Sequence, residues 1–448
     1  MAIRGNETRP LLKTAIPGPA ARKIVRKDEK YLITTTKTAP IVAKQGRGVI
    51  VEDVDGNRLL DFAAGIGVLN TGHCHPEVVR AVQDQAARLM HFAGTDFYYS
   101  QQADLGEKLS KIMPIKGNSK AFFCQSGAEA NEAAIKVAKH ATGRPLFLAF
   151  LGAFHGRTQG ALSLTASKQR QREGFFPTMP GVQHTPFPNP FRNIWGIDGY
   201  EQPQELSNRA LDYIEGLFAT VMPPHDVAAT FWEPVQGEGG YIVPPKMFPG
   251  ALAKMLKEHG ILLVADEVQT GFGRTGKWFA SEHFGVQPDI VTVAKAMGSG
   301  YPIGACVARA DLDFRQKGKH SNTYGGNVVG CAASLATIKV LDEEKLVQNS
   351  ATMGTYMGKQ LDEIRARHAV VGDHRGLGLM RAIEFVKPDG SPHAELRDKV
   401  EESAWKRGLI LLGCGKSAIR FIPALNVTAG QIDGAMEILE AAIKSQKA

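Results

Sequence analysis

Two residues 29 positions apart, Asp266 and Lys295, carry the strongest chemical signal in the chain. Asp266 ends the apolar run Ile261-Leu-Leu-Val-Ala-Asp266, and Lys295 ends a second such run, Asp289-Ile-Val-Thr-Val-Ala-Lys295. Short apolar runs that each finish on a polar residue read as buried strands delivering side chains to the carboxyl edge of a parallel sheet. An amine and a carboxylate presented there suit pyridoxal 5′-phosphate: the amine forms a Schiff base with the aldehyde, and the acid pairs with the pyridinium nitrogen. An ordinary buried ion pair uses the same two residue types, so the rest of the chain has to separate the two.

Five further stretches bear on the choice. Gln125-Ser-Gly-Ala-Glu-Ala-Asn131 follows the strand candidate Ala121–Cys124 and opens a helix. Free N–H groups and the helix dipole make such a turn an anion site, although Ser126 equally suits a plain N-cap. The Gly-x-Gly-x-x-Gly dinucleotide spacing is absent. Phe154-His155-Gly156-Arg157 offers a ring able to stack on a heteroaromatic cofactor and a guanidinium fork suited to a carboxylate; a core Phe and a surface Arg are the plainer readings. Glu233-Pro-Val-Gln-Gly-Glu238-Gly-Gly places two acids among three glycines, more special residues than a generic turn needs. Arg420 lies in the apolar segment Ala418–Ala424 and needs a partner, for which Glu238 is the candidate. Thr323-Tyr-Gly-Gly-Asn327 is either a second phosphate-binding turn or a simple helix entry.

The elements that must position these residues alternate. Strands are expected at Ala121–Cys124, Leu146–Phe150, Ala228–Trp232, Ile261–Val264 and Ile290–Val293, with helices at Glu129–Ala141, Phe248–His259 and Gly330–Asp342. That alternation predicts an α/β fold with a largely parallel sheet. Ahead of it, Val49–Phe62 reads as a hairpin turning at Asp55-Gly56, and a helix is expected from Glu77 to about Met90. The first forty residues read as irregular, residues 177–204 as an ordered surface excursion, and the chain from about Asn349 as helical and then mixed α/β. No internal repeat or low-complexity tract is present in the sequence.

A chain of 448 residues exceeds one compact core. Its 43% apolar and 22% charged residues match a soluble globular protein. No apolar stretch is long enough to span a bilayer, and the N-terminus lacks the hydrophobic core of a signal peptide, so cytoplasmic residence is the default expectation. The five cysteines are scattered without metal or redox spacing, as small packing residues in a reducing compartment would be. The formal charge of +8 comes from bases interleaved with acids, without a basic stripe or stacking aromatics, which argues against nucleic-acid binding and fits attraction of small anions.

Taken together, these stretches resemble the class III (ω-amino-acid) aminotransferases, nearest to 4-aminobutyrate aminotransferases, from about residue 30 to 440. Leu262-Leu-Val-Ala-Asp-Glu-Val-Gln-Thr-Gly-Phe-Gly-Arg-Thr-Gly276 matches the family signature, and Lys295 falls at its Schiff-base lysine. The resemblance implies PLP fold type I: a large domain (residues 76–345) with a mostly parallel seven-stranded sheet, and a small α/β domain built from residues 1–75 and 346–448. It implies pyridoxal 5′-phosphate between Val268 and Phe154, with His155 and Glu233 alongside, Asp266 at the ring nitrogen, and Gln269 at the ring hydroxyl. Ser126, Gly127 and Ala128 would cup the phosphate, with Thr323 supplied by a second subunit, which implies a homodimer or a dimer of dimers.

On the substrate side the resemblance implies Ile66, in the loop Ala64–His73 where Gly67 replaces the more usual Ala, together with Arg157, Glu238 and Arg420. Arg157 would hold a distal carboxylate. Arg420 would pair with Glu238 while an ω-amine reacts and bind the α-carboxylate of glutamate in the other half-reaction. The expected activity is ping-pong transamination between an amino donor and 2-oxoglutarate. Ornithine or acetylornithine donors, and a PLP-dependent racemase or epimerase, remain alternatives on the same cofactor motifs; a non-catalytic protein on this fold would have lost the lysine, the acid or the phosphate cup.

Overall fold

A computed structural model describes residues 3–446. Its central element is a seven-stranded sheet in the order Ser119–Cys124, Gly304–Arg309, Ile290–Val293, Leu262–Asp266, Val227–Trp232, Leu146–Phe150 and Val182–Thr185. Gly304–Arg309 runs antiparallel to both neighbours, and the other pairings are parallel. Strands sandwiched on both faces read as continuous apolar runs rather than alternating ones, and Val227–Trp232, Leu262–Asp266 and Ile290–Val293 are buried throughout. Asp266 is the last residue of its strand, two positions beyond the expected end, and pairs in register with Thr292. Two strands of this sheet, Val182–Thr185 and Gly304–Arg309, carry no clear periodic signal. The first lies inside the excursion over 177–204.

The helix Gly127–Thr142 shows why the sequence folds here as it does. Ala130, Ala133, Ala134, Val137 and Ala138 recur at helical spacing and are buried against the sheet. The Ser126 side chain caps the start by accepting from Glu129 N, and Gly143 ends it at φ 69°, a left-handed conformation that glycine adopts freely.

One expectation fails at the N-terminus. The first forty residues are not wholly irregular: Pro19–Tyr31 is a helix. Proline at its first position fixes the entry, and Asp55 Oδ1 and Oδ2 accept from the free Ala20 and Ala21 N–H groups at 2.8 and 2.9 Å. That acceptor lies 35 residues downstream, so local composition could not reveal it. The expected hairpin forms from Ile50–Asp53 and Arg58–Asp61, and Leu409–Ile410 adds a parallel strand to it. Segments near both ends of the chain therefore share one four-stranded sheet with Ala43–Arg47. A third sheet orders Val371–Leu377, Met380–Phe385, Ala418–Phe421 and Leu412–Cys414, and it presents Arg420 to the carboxyl edge of the central sheet.

Candidate active site

Asp266 and Lys295 leave adjacent parallel strands and line one cavity of about 460 Å³. Lys295 has φ 45°, a left-handed backbone unusual for a residue with a side chain, at the turn out of the Ile290–Val293 strand. Burial and the nearby Arg420 guanidinium disfavour its ammonium form and pull the pKa down to about 8.

Asp266 is buried and held from three sides. His155 Nδ1 lies 2.7 Å from Oδ2, Asn131 Nδ2 donates to Oδ2 at 2.8 Å, and Val268 N donates to Oδ1 at 3.1 Å. Burial opposes a charged His155, but the hydrogen bond and charge of Asp266 outweigh it and hold the imidazole above its ordinary range. Asn131 also donates to the His155 carbonyl at 2.7 Å. No motif singled Asn131 out. Its signal is a polar residue on the helix face shared with Ala134, Ile135 and Ala138, where an unpartnered amide would be costly.

Ser126, Gly127 and Ala128 line the same cavity at the helix N-terminus, where the first N–H groups have no intrahelical acceptor. A Cβ on Gly127 would meet Val268 at 2.8 Å, so only glycine leaves that cradle open. Phe154, Val268 and Gln269 also line the cavity, and Gln269 Oε1 is buried without a partner. Glu233 accepts from Phe154 N and Gly237 N, each at 2.8 Å, and burial pushes its carboxyl up to about 7.

The Aminotransferase class-III family model matches residues 33–443. The chain belongs to the class III aminotransferases. It is 45% identical over 434 residues to the alanine/serine racemase of Pyrococcus horikoshii, covering 96% of this chain and 91% of that one. It is 41% identical over 409 residues to the 5-aminovalerate aminotransferase DavT of Pseudomonas aeruginosa, covering 89% and 92%. An amine transaminase from an uncultivated Pseudomonas species, solved in a PLP-bound form, superposes with a TM-score of 0.85 at 30% identity, covering 90% and 95%. The cofactor of this class III aminotransferase is pyridoxal 5′-phosphate. The residues present fit it: a lysine, a fixed carboxylate, an open anion cradle, and three lining residues with a buried polar atom lacking a partner, Gln269 Oε1, His155 Nε2 and Asn131 Oδ1.

On the substrate side, Arg157 reaches the cavity with its guanidinium 5.5 Å from the Phe154 ring centre. Arg420 Nη1 donates to Glu238 Oε2 at 3.3 Å, the pairing expected from sequence. Burial works against the charged Arg420, but the neighbouring Tyr241, Cys414 and Glu238 hold its pKa up. Burial likewise works against an ionised Glu238, and Arg420 and Lys168 reverse the effect and hold its carboxyl low. Lys168, 2.6 Å from Glu238 Oε1, had no sequence signal.

Three expected residues do not line this cavity: Ile66, Thr323 and Arg420, the last of which meets it through the lining residue Glu238. Ile66 is 48% exposed at φ 68° in the loop beside it, and Thr323 is exposed next to Tyr324, whose carbonyl accepts from the lining residue Gln125. Gly67, the departure noted in that loop, has φ 70°, and a Cβ there would meet Ile422 Cδ1 at 2.5 Å. The loop conformation thus accounts for the glycine.

Proposed function

We propose that this protein transfers an amino group from an ω-amino acid of the 4-aminobutyrate kind to 2-oxoglutarate by a ping-pong mechanism. The observation that carries the reading is the state of Arg420. It is buried, engaged with Glu238 through one nitrogen, and its Nε has no partner. A guanidinium held by a displaceable carboxylate, with donor capacity in reserve, is a carboxylate receptor that opens on demand. A two-substrate reaction that alternates between one and two substrate carboxylates needs such a receptor.

In this reading the bound cofactor supplies a protonated ring that withdraws electrons from the substrate carbon. Asp266, fixed by Asn131 and His155, keeps the ring nitrogen protonated. Lys295 would take the proton from the amine-bearing substrate carbon and deliver it to the cofactor carbon that carries the nitrogen away, and its lowered pKa lets its neutral form act near neutral pH. Arg157 holds the carboxylate distal to the reacting amine. Glu233 ties the Phe154 backbone to the Gly237 turn, so the ring-facing residue and the Glu238 loop move as one unit. Ser126, Gly127 and Ala128 receive the phosphate, and the exposed Thr323 is read as contributing to the site of a second subunit. Residues 76–345 are read as the large domain, and 1–75 with 346–448 as the small one.

The 45% identity to an alanine/serine racemase favours a second reading, amino-acid racemisation. A single half-reaction separates them. The holoenzyme is mixed in turn with 4-aminobutyrate, L-ornithine, L-glutamate and L-alanine without any 2-oxo acid. Transamination gives one equivalent of carbonyl product per site and a lasting change in cofactor absorption. If L-alanine yields D-alanine with the cofactor spectrum restored, and no donor yields carbonyl product, the proposal is wrong.

A further inference from the structure

Glu238 is gripped by two cations from different parts of the chain. Lys168 Nζ lies 2.6 Å from Oε1, and Arg420 Nη1 lies 3.3 Å from Oε2. Lys168 is the closer of the two. Its backbone is pinned to the segment that also holds the Glu238 loop: Ala166 N donates to the Ala153 carbonyl at 2.8 Å, Gly152 N donates to the Ala166 carbonyl at 3.1 Å, and Gln236 Nε2 donates to the Leu151 carbonyl at 2.9 Å. The Glu238 loop is fixed from the opposite side, where Gly415 N donates to the Glu238 carbonyl at 2.8 Å and Arg375 Nε to the Gly240 carbonyl at 2.8 Å. Lys168 is therefore tied to the same segment as Glu238 and need not move when Arg420 lets go.

From this geometry we infer that Lys168 is a specificity-determining counter-anchor, holding Glu238 whenever Arg420 turns to a second substrate carboxylate. The inference rests on the reading of Arg420 as that receptor. Glu238 is only 19% exposed, so releasing Arg420 without a substitute cation would strand a poorly hydrated carboxylate. Lys168 removes that obstacle in two ways. It keeps Glu238 paired after release, and its charge weakens the grip of Glu238 on Arg420 before release. Lys168 thus tunes affinity for dicarboxylate substrates and leaves monocarboxylate affinity alone.

The test uses two unreactive probes, glutarate with two carboxylates and valerate with one, titrated calorimetrically into the holoenzyme at fixed ionic strength. Lys168→Met is expected to weaken glutarate binding about tenfold, the scale of a half-buried charge interaction, and to leave valerate within about twofold. Lys168→Arg restores glutarate binding. In a Glu238→Gln background, where no carboxylate needs holding, Lys168→Met has no further effect on either probe. If glutarate and valerate weaken together, Lys168 binds substrate directly and the inference fails. Persistence of the Lys168→Met effect in the Glu238→Gln background also defeats it. Should the unmodified holoenzyme bind glutarate no more tightly than valerate, the receptor reading of Arg420 fails and takes the inference with it; that result is recognisable without any variant.

Discussion

Replacing Asn131 with Leu, a residue of similar volume, tests whether the network behind Asp266 matters as the geometry indicates. The substitution removes two hydrogen bonds, one to the His155 carbonyl at 2.7 Å and one to Asp266 Oδ2 at 2.8 Å. A bond to a charged group contributes about 1.5–3 kcal/mol, and a buried carbonyl left unsatisfied costs about 1–3 kcal/mol. Because Asp266 keeps His155 and Val268 N as partners, the net loss should fall near the middle of those ranges, roughly 3–4 kcal/mol. Unfolding entropy near 2.1 cal/mol/K per residue gives about 0.9 kcal/mol per degree for 448 residues. The melting temperature should therefore drop by roughly 3–4 °C. If the charged bond alone is lost in the rate-limiting state, kcat/KM should fall roughly ten- to hundredfold, tenfold for every 1.4 kcal/mol. Circular dichroism melting and steady-state rates measure the two effects. Asn131→Asp sharpens the test, because a second carboxylate against Asp266 can be accommodated only with an extra proton, so its defect should grow as pH rises. A Leu variant within 1 °C and twofold of the parent would refute the reasoning.

Three further outcomes follow from the structure. Burial and Arg420 lower the Lys295 pKa from 10.5 to about 8, so its neutral amine accumulates as pH rises through about 8. Capture of pyridoxal phosphate by the apoenzyme should rise with the same midpoint, and a midpoint above 10 would contradict the burial argument. Gly127→Ala drives a methyl into Val268, whose branched side chain has little freedom to yield. Overpacking of about 1–3 kcal/mol should weaken cofactor affinity by roughly five- to a hundredfold in equilibrium dialysis, and an unchanged affinity would show that Val268 yields to the methyl. Arg375 is nearly inaccessible and pairs with Asp373 at 2.7 Å and Glu384 at 2.8 Å. Arg375→Met leaves Asp373 with the Tyr200 hydroxyl and Glu384 with Arg192, so the cost is about 3 kcal/mol, the low end for a broken buried pair; the melting temperature should fall by roughly 3 °C on the same per-degree scale, and a drop below 1 °C would mean these two partners suffice.

The division between what composition and pattern settle and what folding settles runs through single residues. Strands buried on both faces leave apolar runs that mark themselves, so the cores of Leu146–Phe150, Leu262–Asp266 and Ile290–Val293 are legible, as is the chemistry at their ends, Asp266 and Lys295. Ser126-Gly127 at a helix entry and the acid-glycine loop from Glu233 are legible for the same reason: local backbone demands restrict which residues can stand there. The antiparallel strand Gly304–Arg309 and the helix Pro19–Tyr31 are not, because the first owes its place to pairing between Ile290–Val293 and the remote Ser119–Cys124 and the second to a carboxylate 35 positions away.

At the site, the Glu238–Arg420 pair could be named from a misplaced charge in an apolar stretch. Its third member could not, because nothing near Lys168 distinguishes it from a surface lysine. Thr165, which holds the His155 and Gly156 backbone through its hydroxyl oxygen at 2.9 and 3.3 Å, is likewise silent in sequence, and Asn131 shows only as a polar residue on a buried helix face. The sequence by itself determined which side chains could do the chemistry, because reactive groups at strand ends follow local rules. Only the tertiary structure decided which neutral and charged neighbours hold those groups in place, because such partners are chosen by packing between segments remote in the chain, where any polar residue of suitable reach will serve.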